Sequence, residues 1–600
     1  MRIALVSMPW AIFNRPSIQL GTLKAFLREG EENVAVRTLH PYLDAALSIG
    51  PDSYRTVCAN GWAGEALFAG LLFPERYDRA AEVFHRSLGK KVSRSLPPFD
   101  MLTARLDRQL DDWLARHDFS DCALAGFSVC FNQLAASLLA AARLKKINPG
   151  LPVVFGGSSC APDLAPALLE VFPQIDYVIA GEGETPLSGL CRFLAGRAGS
   201  PGNGVFRRTG KTVELPAAYR PGCCQIADPD QLPLPDYDDY FNELRSSGLN
   251  VIPGLPVEFS RGCWWNKCAF CNLNLQWRGY RSKSSRRMLD EVEHLRNRHR
   301  CLDFFFTDNC LPPAEARRFF STLARSDMDL HFFGEIRPLR KPDDYALYRR
   351  GGLNSVQVGI EAFSDSLLQK MNKGVTAMDN IAALKYCAEN NIRLDGNLIL
   401  EFPASSEQEV EETLHCLDFV LPFQPLKAAA FFLGHSSPIW CRPAEYEIRA
   451  IHPHPFNRML YPENILARLR MLVEYGIGER RHQKALWRPV RKKMKAWEAF
   501  HRGRRSSPPP LTYREGGDFI IIRQERPGGQ PVLHHRLNGP SRAVYLACRR
   551  PIPKKDLLRH CPSVTDKQLD AFLDDLESKR LLFRSSDRVL ALAVRQPHTL

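Results

Sequence analysis

The most informative stretch of this 600-residue sequence is residues 260–271, which read SRGCWWNKCAFC. Its three cysteines, Cys263, Cys268 and Cys271, lie on one short loop directly after a strand-like segment at 257–260. Three thiolates on one loop can bind three irons of a cubane cluster and leave the fourth iron open to a small chelating ligand. The stretch therefore predicts an iron-sulfur site at the end of a strand.

A single zinc ion is the alternative occupant of these thiolates. A structural zinc site needs a fourth protein ligand, and no Cys or His follows Cys271 at the usual short spacing. His294, His299 or Cys301 could complete such a site from a distance. A zinc-stabilised nucleic-acid-binding protein that uses its basic residues therefore stays open as a function of a different class.

An alternation of strands and helices follows the cysteine loop. The strand candidates lie at 257–260, 304–307, 331–335, 355–360, 393–400 and 427–432. Six such units predict a partial or complete βα (TIM) barrel over residues 251–445. The chemistry of such a barrel lies at the carboxyl ends of its strands.

A second alternation precedes the loop, over residues 1–200. Its strand candidates lie at 3–6, 34–38, 122–129, 153–155 and 177–180. Repeated βα units predict an α/β fold with a doubly wound parallel sheet, which binds ligands at the carboxyl ends of its strands. Each polar or glycine-rich turn at those ends is also typical of a plain connection, but together they predict a site for a bulky ligand. The candidate contacts are Ser128, Asn132, Gln133, Gly156, Gly157, Ser158, Gly181, Glu182, Gly183, Glu184 and Thr185.

Three further segments complete the predicted organisation. Residues 201–250 are rich in Pro, Gly and Asp and predict an extended connector, whereas residues 446–510 predict a basic helical segment and linker. Residues 511–600 carry three helix candidates and two strand candidates in the order of a small winged-helix-like domain. Its third helix is acidic and offers a poor face for phosphate, so binding of a peptide is the better hypothesis.

Composition and charge narrow the class of protein. With 44% hydrophobic and 24% charged residues, no run long enough for a membrane span and no signal-peptide pattern, we expect a cytoplasmic protein without membrane contact. The seventeen cysteines are then mostly free thiols. The net charge of +14 concentrates between Arg480 and Arg505. This tract predicts either a solvated helix face or a docking surface for an acidic peptide or RNA.

The cysteine loop resembles the signature of the radical S-adenosylmethionine (SAM) superfamily, in which an aromatic residue, here Phe270, precedes the third cysteine. It departs from the commonest spacing, because four residues rather than three separate Cys263 from Cys268. Other segments resemble the cobalamin-dependent (class B) radical SAM methyltransferases that mature ribosomally synthesised peptides. They are the small C-terminal domain and residues 14–21, 126–128, 156–157, 181–186, 264–265, 281–284, 307–309 and 359–361.

The resemblance implies a Rossmann-like cobalamin-binding domain in front of a radical SAM barrel that holds a [4Fe-4S] cluster on the three cysteines. The cofactors would be this cluster, SAM and cobalamin, and the partners a precursor peptide and a reductant such as flavodoxin or ferredoxin. The reaction would move a methyl group from SAM, by way of methylcobalamin, to an unactivated carbon of a leader-bearing peptide. Modification of a small metabolite, or a non-methylating radical rearrangement, is the alternative within the same class.

The resemblance also implies specific contacts. Ser17 and Gln19 would join the strand-end residues named above in binding cobalamin, and no Asp-x-His-x-x-Gly motif places a histidine below the cobalt. Glu401 stands where relatives often have glycine, which predicts a reshaped pocket floor. The residues implied for SAM are Phe270, Asn309, Arg337, Glu361 and Asn397.

Overall fold

The computed structural model defines which residues can be described. They are residues 1–31, 33–210, 212–216, 219–220, 222–273, 277–478, 480–504, 508–560, 562 and 564–596. Arg505 of the basic tract and part of the predicted linker at 502–510 lie outside them. The architecture is a mixed α/β fold with two parallel sheets, followed by smaller antiparallel sheets.

The N-terminal domain is built on one sheet. Its strands are β1 (Arg2–Ser7), β2 (Ala35–Leu39), β3 (Cys122–Ser128), β4 (Val153–Gly156), β5 (Tyr177–Ile179), β6 (Val205–Thr209) and β7 (Thr212–Glu214). The order is β2-β1-β3-β4-β5-β6-β7, and the first five strands run parallel. β1, β3 and β4 read as nearly continuous apolar runs because helices cover both faces of a parallel sheet.

The helices of this domain include a long insertion between β2 and β3. They are α1 (Ile18–Gly30), α2 (Pro41–Ile49), α3 (Pro51–Cys58), α4 (Gly61–Leu72), α5 (Tyr77–Ser93), α6 (Phe99–Arg116), α7 (Leu134–Ile147), α8 (Ala165–Val171) and α9 (Glu184–Leu194). The 201–250 connector is more structured than its composition predicts. Its strands β6 and β7 extend the sheet as an antiparallel edge, and α10 (Asp238–Ser247) packs against α2 and β2.

The second parallel sheet forms an open arc. Its strands, with a small hairpin of β9 and β10, are β8 (Leu255–Val257), β9 (Ser260–Arg261), β10 (Arg281–Ser282), β11 (Asp303–Phe306), β12 (His331–Ile336), β13 (Leu353–Val358), β14 (Arg393–Asp395), β15 (Asn397–Leu400) and β16 (Lys427–Ala430). The helices between them are α11 (Ser285–His299), α12 (Pro313–Leu323), α13 (Pro342–Arg350), α14 (Asp365–Lys370), α15 (Ala377–Glu389) and α16 (Glu407–Leu417).

The arc runs β8-β11-β12-β13-β14 and continues through β15 and β16. The strand predicted at 393–400 is divided at Gly396, and a parallel bridge between Glu361 and Leu398 links its second half to the β13 end. Each of the six predicted strand positions overlaps a strand of this arc, with bounds that differ by up to three residues. With the divided strand β14 and β15 counted as one position, the arc has six strand positions and is a partial barrel.

The basic composition of the segment after the arc predicted helices and a linker, but the segment also contains strands. It contains a three-stranded antiparallel sheet of order β17-β19-β18 before the basic helices. These elements are β17 (Leu433–Gly434), α17 (Pro438–Cys441), β18 (Ala450–Pro453), α18 (Pro455–Leu460), α19 (Glu463–Leu466), β19 (Val473–Ile477), α20 (Arg480–Leu486) and α21 (Arg488–Gly503).

The C-terminal region holds two small sheets of order β22-β21-β20-β26 and β23-β25-β24. The three helices expected from the sequence are present, but the strands before them were not anticipated. The elements are β20 (Leu511–Glu515), β21 (Phe519–Gln524), β22 (Leu533–Asn538), α22 (Gly539–Ala547), β23 (Ile552–Pro553), α23 (Lys554–His560), α24 (Asp566–Ser578), β24 (Leu582–Ser585), β25 (Arg588–Ala591) and β26 (Val594–Arg595). Within the described residues, no helix combines the length and the apolar character that crossing a bilayer requires.

Helix α21 of the basic tract packs against the barrel through buried apolar residues and an ion pair. On α21, Val490, Met494 and Trp497 are buried. Lys493 pairs with Asp418 at 2.6 Å on the barrel side. This helix therefore uses part of its charge to hold its own position.

His435 ties the segment after the barrel to the N-terminal domain. It is 3% exposed, and its Nε2 lies 2.5 Å from the Asp163 carboxylate, which precedes α8. Its Nδ1 lies 3.5 Å from the Glu474 carboxylate on β19. Burial alone would lower the pKa of His435, but the two carboxylates outweigh burial and raise this pKa to about 9.

We expect the free energy of unfolding to depend on pH through His435. Because the folded state raises this pKa from 6.5 to about 9, the stabilisation is complete below about pH 6.5 and is lost as the pH rises towards 9. It amounts to at most about 3 kcal/mol. Urea unfolding at pH 6 and pH 9 measures it, and His435→Gln should flatten the difference.

The matched control is His534→Gln, which changes an exposed histidine on β22. An unchanged pH dependence in His435→Gln, equal to that of the control, would contradict this role of His435.

Candidate functional site

A cavity of about 790 Å³ lies where the carboxyl ends of the two parallel sheets face each other. Its N-terminal wall follows the ends of β3, β4 and β5, and its other wall includes Thr307 and Asn309 after β11 and Phe431 after β16. The volume falls within the range of about 300–1,000 Å³ that ligand pockets occupy. The two sheets therefore present their strand ends to one shared space.

Most of the residues implied for cobalamin line this cavity. They are Gln19, Ser128, Gly156, Gly157, Ser158, Gly181, Glu182, Gly183 and Glu184. Gly157 requires glycine, because its φ is +104° and a Cβ there would meet the Val129 carbonyl oxygen at 2.8 Å. The turn after β4 thus depends on a glycine that lies at the cavity wall.

Four implied cobalamin contacts do not line the cavity. Ser17 caps α1 by accepting a hydrogen bond from the Leu20 amide. Gln133 is buried and donates to the Met8 carbonyl. Asn132 borders a smaller neighbouring pocket, and Thr185 lies in the first turn of α9. The side chains of Ser17 and Gln133 therefore already hydrogen-bond to the protein's own backbone.

An aromatic wall that the sequence did not predict lines part of the cavity. The His454 ring stacks on Trp62 of α4 with centroids 4.5 Å apart, and Arg480 lines the same space. Burial, then Arg480, lowers the pKa of His454 to about 4. Its Nδ1 accepts from the Phe456 amide, so the neutral ring carries its proton on Nε2 and offers a donor there.

The cysteine loop is docked on the turn after α14. The Ala269 amide donates to the Met371 carbonyl at 2.9 Å, and the Trp265 indole donates to the Asn372 carbonyl at 2.9 Å. A Cβ at Gly374 would lie 2.1 Å from the Trp265 ring, so glycine is required there. Asn266, with φ of +44°, provides a left-handed turn within the longer Cys263–Cys268 spacing.

The three thiols act on one another electrostatically. Burial, and then the charges of Cys268 and Cys263, raise the pKa of Cys271 to about 11. Burial also raises the pKa of Cys268, against the opposing effects of Lys373 and Arg337. Among the described residues, no three His, Cys, Asp or Glu side chains are placed to hold one metal ion together. A cubane makes a different demand, because each thiolate binds a different iron.

Two of the distant ligands considered for zinc have other partners. His299 stacks on Phe241 with ring centroids 4.2 Å apart. The Cys301 thiol donates to the His299 carbonyl at 3.4 Å. These two side chains pack beside the α10 helix rather than completing the cysteine loop.

Lys373 is the centre around which three residues implied for SAM converge. Its Nζ lies 3.2 Å from the Glu361 carboxylate and 5.7 Å from the centroid of the Phe270 ring. Arg337, directly after β12, donates to the Lys373 carbonyl and stacks over Trp265 at 4.6 Å. No local sequence signal marks Lys373, which is buried in a turn between two helices.

The other two implied SAM residues are placed differently. The Asn397 carbonyl accepts from the Glu361 amide at 3.1 Å, which fixes the backbone of Glu361 at a φ of +63°. Asn309 lines the cavity rather than the Lys373 cluster. Glu335 on β12 was not predicted, and burial together with Glu361 raises its pKa to about 7.

Asp308 fixes the start of the cysteine loop. Its carboxylate accepts from the Phe259 amide at 3.0 Å and from the Ser260 hydroxyl at 2.5 Å. Burial raises the pKa of Asp308 to about 7 despite these hydrogen bonds. The end of β11 therefore positions the strand that leads into Cys263.

Arg261 joins the cysteine loop to the N-terminal domain. Its buried guanidinium contacts Glu182 at 2.8 Å, Glu184 at 2.6 Å and Glu258 at 2.9 Å. Arg281 on the neighbouring strand also pairs with Glu182. Burial alone would raise the pKa of Glu182, but Arg261 and Arg281 hold it below its usual range. Two residues implied for cobalamin are thus charged partners of a residue next to the cysteine loop.

Glu401 is not among the residues that line the main cavity. It has a φ of +63°, a conformation that favours glycine, and pairs with Arg491 of the basic tract at 2.7 Å. It borders a separate small pocket. The expectation that Glu401 reshapes a pocket floor stays a prediction.

Comparison with known proteins identifies the barrel. Residues 257–417, from the end of β8 to the end of α16, match the family model of the Radical SAM superfamily. This part of the chain is a radical SAM domain.

Curated relatives match about half of the chain. An uncharacterized methyltransferase of Pyrococcus horikoshii is 28% identical over 284 residues, covering 45% of this chain and 58% of that protein. Anaerobic magnesium-protoporphyrin IX monomethyl ester cyclase of Rubrivivax gelatinosus is 28% identical over 282 residues, covering 45% and 49%. The chain thus spans about half the length of these relatives.

A solved structure resembles most of the chain. The radical S-adenosylmethionine methyltransferase TsrM from Kitasatospora setae, with tryptophan substrate and the SAM analog aza-SAM bound, has a TM-score of 0.55. The match covers 83% of this chain and 88% of that chain at 16% sequence identity. At this identity the likeness shows a shared fold.

We expect Arg261→Met to destabilise the protein by about 3–5 kcal/mol, because removing one partner of a buried ion pair leaves uncompensated charges. Here the carboxylates of Glu182 and Glu184 would stay buried without their shared cation. Denaturant unfolding measures the loss. The control, Arg286→Met, removes an exposed cation on α11. Equal stability of the two variants would show that the Arg261 contacts do not support the fold.

Proposed function

We propose that this chain is a cobalamin-dependent radical SAM methyltransferase that methylates an unactivated carbon of a ribosomally synthesised precursor peptide. The observation that carries the proposal is the shared cavity between the N-terminal sheet and the radical SAM domain. When bound, a [4Fe-4S] cluster, SAM and cobalamin would supply the methyl group and its activation. The protein must then bring these groups and the substrate carbon into line.

The donor set of the cysteine loop fits an iron-sulfur cluster. Cys263, Cys268 and Cys271 are partly exposed thiols on one loop, close enough for their charges to interact. Lys373 and Arg337 provide positive charge beside them, which favours the thiolate form that binds iron. We assign these three cysteines as the iron ligands.

The Lys373 cluster fits the binding of an amino acid group such as that of SAM. Arg337 carries a guanidinium suited to a carboxylate, and Glu361 carries a carboxylate suited to an amine. Asn309 would contact SAM from the cavity side, and Phe270 and Asn397 would shape its surroundings. Lys373 holds Glu361 in place and becomes part of this assignment.

The N-terminal wall of the cavity fits a bulky ligand such as cobalamin. Ser128 and Ser158 offer hydroxyl groups at the ends of β3 and β4, and Gly157 and Gly181 let the backbone approach. Glu182 and Glu184 already bind Arg261. We therefore expect these two glutamates to shape the wall through Arg261.

The C-terminal region supports a peptide as the substrate. Helices α22, α23 and α24 with the β23-β25-β24 sheet follow the chain order of a winged-helix-like unit. A small metabolite would not need such a module, whereas a leader peptide would. We propose that this unit binds the leader and that the reductant is a flavodoxin or ferredoxin.

A small metabolite is the second candidate substrate. The Rubrivivax gelatinosus relative is named for a porphyrin ester rather than a peptide. The aromatic wall of Trp62 and His454 would suit a flat or apolar molecule as well as a side chain. The two candidates differ in whether a leader sequence is needed.

We expect Cys268→Ala to abolish cluster assembly and methyl transfer while cobalamin binding persists, because Cys268 is not among the residues that line the cavity. Iron content, the cluster absorbance and corrinoid retention after anaerobic reconstitution measure these effects. Cys301→Ala, which changes a buried cysteine beside α11, is the control and should keep its iron. Methylation by Cys268→Ala would refute the assigned chemistry.

The substrate class is tested with a synthetic precursor peptide, prepared with and without an acidic leader segment. The reconstituted protein should add one methyl group to the full peptide, and removal of the leader should slow methylation about tenfold or more. Mass spectrometry locates the methyl group. Equal rates for both peptides would remove the leader-binding role, and methylation of a small metabolite alone would favour the second candidate.

A further inference from the structure

Two adjacent cysteines lie beside the cavity but take no part in the proposed chemistry. The Sγ atoms of Cys223 and Cys224 are 3.3 Å apart. Cys223 is exposed and Cys224 is half-buried. Both line a small cleft of about 40 Å³ that shares Gly181, Glu182 and Trp277 with the main cavity.

The residues that follow this pair hold Glu182. The Ile226 amide donates to the Glu182 carboxylate at 2.9 Å, and the Gln225 side-chain amide donates to it at 3.4 Å. The same carboxylate binds Arg261, two residues before Cys263. A change in the backbone at 223–224 can therefore be transmitted to the cysteine loop through Gln225 and Ile226, then Glu182, then Arg261.

We propose that Cys223 and Cys224 form a reversible oxidation site, at which a low-molecular-weight disulfide converts the two thiols to a vicinal disulfide and loosens the hold on Glu182. The exposed thiol is reached first. The half-buried thiol is the resolving group.

The chemistry is two thiol–disulfide exchanges. The Cys223 thiol loses its proton, and its sulfur attacks one sulfur of the external disulfide, which releases one thiolate and leaves a mixed disulfide. The Cys224 thiol then loses its proton and attacks the Cys223 sulfur, which releases the second thiolate. The protein loses two protons and two electrons, and the external disulfide is reduced to two thiols.

Covalent geometry makes such a bridge easy to reverse. Neighbouring Cα atoms are about 3.8 Å apart across a trans peptide, below the about 4.4–6.8 Å that disulfides prefer. A strained, accessible disulfide is readily reduced, as regulatory disulfides are. Closing the bridge must also move the backbone next to Gln225 and Ile226, which provides the coupling to Glu182.

The test treats the reconstituted protein, kept anaerobic, with glutathione disulfide. Peptide mapping should show the 223–224 peptide with two hydrogens fewer and no attached glutathione. Cys224→Ser should instead keep one glutathione on Cys223. Cys441→Ser, which changes another exposed cysteine, should behave as the unaltered protein.

Hydrogen exchange tests the coupling. The Ile226 amide should exchange about tenfold faster after oxidation, because it loses a hydrogen bond to a carboxylate, and reduction with dithiothreitol should restore it. Glutathione that stays on Cys223 in the unaltered protein, or an unchanged exchange rate at Ile226, would overturn the proposal. Because both readouts are local, they do not depend on whether the proposed methyl transfer is correct.

Discussion

The Arg261 guanidinium is the contact on which the site depends. It is buried among carboxylates from the turn after β5 and from Glu258 after β8, so it joins the two parallel sheets at their carboxyl ends. Burying charge is costly unless each group is paired, and here one planar cation serves three carboxylates. Because Arg261 lies two residues before Cys263, the same contact sets the position of the cysteine loop relative to the N-terminal sheet.

Much of the fold was predictable because parallel strands leave a strong sequence signal. The alternation of strand-like and helix-like segments located the five parallel strands of the first sheet and the six strand positions of the arc. Strands β1, β3 and β4 are also apolar almost throughout, because both of their faces are covered. The strands at 511–538 were missed because their exposed positions carry residues such as Arg514 and Arg536. The strands β18 and β19 were missed because they lie beside a tract whose charge dominated its interpretation.

The site was predictable only where neighbours in space are also neighbours in sequence. The cysteine loop is one short segment, so its spacing was informative, and the glycine turns after β4 and β5 could be placed at the cavity wall. By contrast, Lys373 pairs with Glu361 from a separate turn. Trp62 and His454 stack on each other although they are far apart in the sequence. Local motifs also cannot separate a capping residue such as Ser17 from a ligand contact.

The order in which the cavity walls appear along the chain has a consequence for synthesis. The N-terminal sheet is complete long before Phe431, His454 and Arg480 have been translated, and domains generally fold as they emerge. At about 5–20 residues per second, the strand ends of that sheet would face solvent for on the order of tens of seconds. A large ligand could bind to the incomplete pocket during this interval, before the residues that form its remaining wall have been translated.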